Sequence, residues 1–238
     1  MDGVIDLARA RELVGNAALW PRVRDFLWDF APQVHASWLE GLPGLETLDA
    51  RREGNSSLAP CLMSSPRTKS FLLSSLGVTP CFHDFPKEDG SRLLLLDGAT
   101  LEKVVQWLGA LACADELRRV TDGATVRALR AALPGVYPDV FGYTAYFKGL
   151  DAVFVSRGDA ESQRTEVRVT GTGYEILAAA LAGLPASLVL RLKFKLPRSL
   201  GASAPLRETK PPPAEALRSA ILKLLKLKFP EAYSLCCS

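Results

Sequence analysis

Apolar residues recur at helical spacing along most of the chain. The clearest run is residues 93–120, LLLLDGATLEKVVQWLGALACADELRRV, in which Leu101, Val104, Val105, Leu108, Leu111 and Ala112 repeat at three- and four-residue steps. That spacing puts them on one helix face, and Asp97 or Thr100 is a residue type that caps such a helix. Residues 124–133 form a second helical face with Val126, Leu129 and Leu133, opened by Asp122-Gly123 and closed by Pro134-Gly135. After Pro138, VYPDVFGYTAYF predicts a short aromatic helix. Near the start, Val4, Leu7, Ala8 and Arg11 open a helix that breaks near Pro21; residues 24–29 are rich in aromatics, and Pro32 breaks the chain again. Ser37 is a good N-cap for the turn SWLEGL, with Glu40 three residues on as a capping box requires.

Elsewhere the pattern is weaker. Residues 42–90 cluster Gly, Pro and Ser and read as a loop or loosely helical connector, although FLLSSLGV is too apolar for a free linker. Within residues 151–172, DAVFVSRG and RTEVRVTG have the β-branched content of strands, which places one small hairpin near residues 152–170. GYEILAAALAGL returns to helix. LVLRLKFKLP reads two ways. Leu190, Leu192, Phe194 and Leu196 alternate with Arg191, Lys193 and Lys195 as in a strand, whereas a helix would group Leu188, Val189, Leu192 and Leu196. Residues 201–213 form a Pro-rich, stiff linker. Residues 214–229 then make an amphipathic helix: Leu217, Ile221, Leu224 and Leu225 line one side, and Arg218, Lys223, Lys226 and Lys228 lie mostly off it. Pro230 is expected to end that helix, leaving EAYSLCCS as a tail. The fold class is therefore mainly α, an irregular multi-helix domain with one small β-hairpin. The expected divisions are 1–90, helical and loop-rich; 91–200, a central helical core; 201–213, the linker; and 214–238, the terminal helix and tail.

Composition narrows the class. At 48% hydrophobic and 23% charged residues the chain can bury a sizeable core, unlike a disordered segment or a small disulfide scaffold. The net charge of +3 is uneven: from residue 186 onward ten basic residues face three acidic ones, a net +7, which leaves −4 on the rest. A basic end on a mildly acidic body suggests a docking surface. The opening MDGVIDLARARELVG is charged throughout, so no secretory leader is expected. The longest nearly apolar run, residues 176–190, contains Pro185 and is shorter than the ~20 residues that span a bilayer, so no transmembrane helix or membrane insertion is expected. The Asn55-Ser56-Ser57 sequon is then a chance match. Cys61, Cys81, Cys113, Cys236 and Cys237 follow no paired spacing and suit reduced cytosolic thiols.

Candidate chemistry is sparse. His35 and Ser37, inside FAPQVHASWL, raise the question of a small hydrolase with a His base and a Ser nucleophile, but there is no G-x-S-x-G elbow and no evident third group. The corner reading has His35 capping the turn at Ser37 or packing beside Trp38. Cys81-Phe82-His83 with Cys61, or Cys236-Cys237, offers thiols and an imidazole without metal-site spacing, so no metal and no cofactor is expected. TGTGYE lacks the rest of a phosphate loop, and a turn before a helix accounts for its glycines. The basic end lacks interleaved aromatics apart from Phe194 and Phe229, which disfavours nucleic acid; a polyanion or membrane-surface binder stays as the alternative for the tail. A chain of this size without a chemical constellation suits a scaffold or adaptor, with no enzyme activity.

Three stretches carry a family resemblance. They are residues 30–42 with Pro32, His35, Ser37 and Trp38; the long helical run through ALPGVYPDVFGYTAYF; and LLKLKFPEAYSLCC after LAGLPASLVLRLKFKLP. Together they resemble the K-type (SctK, or YscK/HrpB-like) accessory proteins of bacterial type III secretion systems. In that family a proline, a histidine and a Ser-Trp pair mark the N-terminal region, and a Leu-Pro-rich segment and a Pro-Glu-x-x-x-Leu-Cys ending mark the C-terminal part. The resemblance implies a non-enzymatic adaptor of the sorting platform in the bacterial cytoplasm, peripheral at the inner membrane through the secretion apparatus. It implies two partners: the pod (Q-type, C-ring-like) protein and the cytoplasmic domain of the inner-membrane ring protein. It carries over no catalytic residue. Pro32, His35, Ser37 and Trp38 then form a helix-entry corner with Trp38 buried and Ser37 capping. Arg218, Ile221, Lys223, Leu224, Leu225, Lys226 and Lys228 are the candidate partner-binding residues; the terminal helix either docks in a partner's groove or folds back to close the core.

Overall fold

The computed structural model describes residues 10–11, 15–39, 65–79, 81–147, 150, 165–201 and 213–237. They are mainly α-helical, and no strand occurs among them. In chain order the helices are α1 (Trp20–Leu27), α2 (Pro66–Ser75), α3 (Gly98–Ala112), α4 (Ala114–Arg119), α5 (Gly123–Ala132), α6 (Thr165–Ala180), α7 (Ala186–Lys195), α8 (Arg198–Gly201), α9 (Ala214–Lys228) and α10 (Pro230–Cys237). Short 3-10 turns cover Ala31–Gln33, Ala36–Trp38, Ser91–Leu95, Asp139–Gly142 and Thr144–Tyr146.

Prolines start helices in this chain, at two points where the sequence read a break. Pro21, Pro66 and Pro230 each stand in the first turn of a helix, where the missing N–H has no intrahelical partner to lose and the fixed φ is already helical. Hence α1 begins where a break was expected, α2 lies inside the expected connector, and the tail after Pro230 is helix α10. The expected helical face of residues 124–133 is α5, with Asp122 as its N-cap: the carboxylate accepts from the Thr125 N–H at 2.7 Å, which holds its pKa below the usual value.

The hairpin near residues 152–170 is corrected where it can be seen. Residues 165–170 belong to α6, while residues 151–164 lie outside the described residues, as does the linker over 202–212. LVLRLKFKLP is helix α7, the second of the two readings its pattern allowed, and the alternation has a different physical origin. Arg191 and Lys195, which a strand would turn to water, are 1% and 2% exposed and share a helix face with Leu188 and Leu192.

The chain divides into two compact units: residues 1–98 with 183–198 and 235–238, and residues 99–182 with 199–234. The core of the first gathers Phe26, Phe30 and Phe85 edge to face, with Phe26 ring centroids 5.6 Å from Phe30 and 5.9 Å from Phe85, against the buried run Leu93 to Leu96 and the inner face of α7. In the second unit α6 packs along α9, and α5 also meets α6. Gly109 of α3 and Gly173 of α6 let two helix backbones meet: a Cβ on Gly109 would overlap the Val169 carbonyl, and one on Gly173 the Val105 carbonyl. The glycines of TGTGYE therefore lie inside a helix, not in a turn before one.

Candidate interaction surfaces

The corner at residues 32–38 is built in the first unit. Val34 and His35 are extended, and His35 is the N-cap of the Ala36–Trp38 turn, its side chain accepting from the Ser37 N–H at 3.2 Å. His35 thus caps the turn, as one form of the corner reading had it, and Ser37, also expected to cap, does not. Because Nδ1 accepts that N–H, it is unprotonated, and the Ser37 hydroxyl donates to it at 2.8 Å. The Ser37 oxygen also accepts from the Arg198 N–H at 2.9 Å. His35 N–H donates to the Phe194 carbonyl at 2.7 Å, and Trp38 Nε1–H to the Leu196 carbonyl at 2.8 Å. The corner therefore clamps the end of α7 from a point about 160 residues away in sequence.

Trp38 is half-buried rather than buried. Its ring meets Phe194 edge to face at 4.9 Å, and Lys193 and Arg198 place their charges 5.4 Å and 5.7 Å from its centroid. Pro32 is exposed in the Ala31–Gln33 turn. A hydrolase needs a group to orient the base and a free nucleophile oxygen. Among the described residues no carboxylate bonds His35, and the serine oxygen is engaged by Arg198. His83, read with Cys81 as a metal candidate, is bonded through Nε2 to Asp89 at 2.8 Å, and Cys61 lies outside the described residues. Among the described residues no group of three or more His, Cys, Asp or Glu side chains could hold a metal ion.

Behind the corner, α7 carries two buried cations. Arg191 donates to the Phe26 carbonyl at 2.8 Å and the Thr79 carbonyl at 3.0 Å, its guanidinium 5.2 Å from the Phe30 centroid. Burial lowers its pKa, and Cys81 opposes the shift. Lys195 donates to the Leu94 and Leu96 carbonyls at 2.7 Å and 2.8 Å, with the Phe26 ring at 4.8 Å. Burial pushes its pKa down to about 7, against the pull of Asp97 and with a small push from Arg22. Two of the charges counted in the basic end are thus structural and do not face a partner.

The candidate residues of α9 sort into an inner and an outer set. Ile221, Leu224 and Leu225 are fully buried in the second unit, with Leu217 beside them, so the apolar stripe closes this unit's core. Lys228, placed off the stripe by sequence, falls on its inner side: the ammonium stacks 4.3 Å from the Trp107 centroid and 4.1 Å from that of Tyr143. Arg218 is half-buried and donates through Nε to the Ala214 carbonyl at 3.4 Å. Lys223 and Lys226 face outward. Lys223 donates to the Tyr146 carbonyl at 2.9 Å and lies 5.8 Å from its ring; Lys226 lies 5.9 Å from the Tyr233 ring. Sequence reasoning missed Trp107, Tyr143, Tyr146 and Leu227. The aromatic run VFGYTAYF was the signal for two of them, but nothing in one sequence pairs it with α9.

What these residues define is a mainly α-helical protein in which several lysines and arginines lie against aromatic rings, with no assembled catalytic constellation among the described residues. Residues 32–136 match the family model described as YOP proteins translocation protein K (YscK), so over that stretch the chain is similar to the YscK (SctK) family, which supports the resemblance. That family is one of type III secretion apparatus components rather than known enzymes, and the match implies a translocation-related role. No curated protein and no solved structure matches the chain. Among the described residues no helix is long and apolar enough to cross a membrane.

Proposed function

We propose that this protein is a non-enzymatic adaptor of the type III secretion sorting platform, joining the cytoplasmic domain of the inner-membrane ring protein to the pod protein. It works in the bacterial cytoplasm, at the inner membrane only through those partners, and binds no nucleic acid. The observation that carries this reading is the YscK family match over residues 32–136. Supporting it, the His35–Ser37 pair serves as a corner that clamps α7, which leaves surface recognition as the protein's work. The test is co-expression with the pod protein and, separately, with the ring protein's cytoplasmic domain from the same organism, with complex mass read by light scattering after gel filtration. Stable complexes with both are expected. Binding to neither, or ester hydrolysis that disappears in His35→Ala, would overturn the reading.

A further inference from the structure

We infer that the outward face of α9, together with Tyr146, is the docking surface for an acidic, amphipathic segment of a protein partner. This rests on the adaptor reading and names the chemistry of one of its contacts. Lys223, Lys226 and Leu227 stand at i, i+3 and i+4, so they share one face, opposite the stripe of Ile221, Leu224 and Leu225 that is buried in the unit's own core. Leu227 is 44% exposed and Tyr146 57%, two apolar anchors beside Lys223: the first four residues on along the helix, the second bonded through its carbonyl to the ammonium. That bond uses one of the three donors of Lys223, and the remaining two are available to a carboxylate.

The charge favours one kind of occupant. α9 carries Arg218, Lys223, Lys226 and Lys228 against Glu215 alone, and Glu215 lies in the first turn, away from this patch. Aromatic contacts hold Lys223 and Lys226 in place before a partner arrives, which lowers the ordering cost of binding and gives a fixed spacing for carboxylates. A membrane surface fits less well. An interfacial helix needs its apolar face free for the bilayer, and here that face is already covered. Lipid-binding clusters also gather about four to eight basic residues, against the two exposed lysines of this face.

The experiment titrates the full chain with the pod protein and with the ring protein's cytoplasmic domain by calorimetry, at low and high salt. Lys223→Glu with Lys226→Glu, and separately Leu227→Asp, are compared with wild type; circular dichroism checks that each variant stays folded. If the double variant is misfolded, Lys226→Gln alone, which leaves the Tyr146 contact intact, takes its place. The expected result is wild-type binding to at least one partner that weakens with salt, and about tenfold or greater loss in both variants. Variants that bind both partners as wild type does would overturn this surface and leave the adaptor reading standing. A wild-type chain that binds neither partner would overturn both. Capture by phosphatidylglycerol vesicles, with no salt-sensitive binding to either protein, would overturn the protein partner in favour of lipid.

Discussion

Gly109 and Gly173 stand face to face where α3 meets α6, each helix backbone filling the space that the other glycine's Cβ would need; the Gly173 nitrogen would lie 3.0 Å from a Cβ on Gly109. Backbone, unlike a flexible side-chain tip, cannot yield without moving a helix. Gly109→Ala or Gly173→Ala is therefore expected to destabilise the second unit by about 3 kcal/mol or more, despite the better helix propensity of alanine. Urea unfolding followed by circular dichroism checks it. A midpoint equal to or above wild type would mean that the two helices do not touch at this point.

The buried Lys195 amine gives stability a pH dependence whose sign follows from its lowered pKa. The unfolded chain keeps the proton up to about its ordinary value of 10.5, whereas the folded chain releases it near 7. Between those values the unfolded state holds more protons, so stability rises with pH; below 7 the burial penalty is fully present. The whole interval is worth on the order of 5 kcal/mol. Cys236 opposes this at higher pH, because burial raises its pKa from 9.0 to about 12 and folding then resists ionisation. The urea midpoint is expected to climb from pH 7 toward 9 and then flatten. Lys195→Met should remove most of the climb; an unchanged slope would locate the titrating group elsewhere.

Trp38 tests the corner. Half-burial puts Trp38→Ala at about 2 kcal/mol, below the ~3–5 kcal/mol of a fully buried tryptophan. Trp38→Phe keeps an edge-to-face ring against Phe194 and loses the bond to the Leu196 carbonyl, so about 1 kcal/mol is expected. His35→Ala should cost a similar ~1 kcal/mol through loss of the cap. Thermal unfolding ranks the three variants, and His35→Ala as the most damaging would contradict this order.

Lys228 is expected to behave as a core residue despite its charge. Its ammonium sits in the corner formed by the Trp107 and Tyr143 rings, so Lys228→Ala should cost about 2 kcal/mol and alter Trp107 fluorescence. Lys226→Ala, on the outer side, should be within about 0.5 kcal/mol of wild type. Equal effects of the two substitutions would mean that the helix sits rotated from the orientation described.

Much of the helical architecture was legible in the sequence because three- and four-residue apolar spacing reports a local property. The α3 and α5 faces and the buried stripe of α9 follow from it directly, and so did the YscK resemblance, since it rests on short linear motifs. What failed were inferences that equated residue type with environment. Prolines at 21 and 230 looked like stops because only φ and the missing N–H are visible in a sequence, not whether a helix follows. Arg191 and Lys195 looked solvent-facing because nothing local reveals the carbonyls of Phe26, Thr79, Leu94 and Leu96 that receive them. The partner of the Ser37 oxygen was likewise set by the Arg198 N–H beyond α7, which the chain reaches only about 160 residues later. The sequence by itself determined helix faces, charge distribution and the family resemblance. Tertiary structure alone decided which charges are buried, why two glycines face each other and which side of α9 is left for a partner, because each depends on groups that only folding brings within bonding distance.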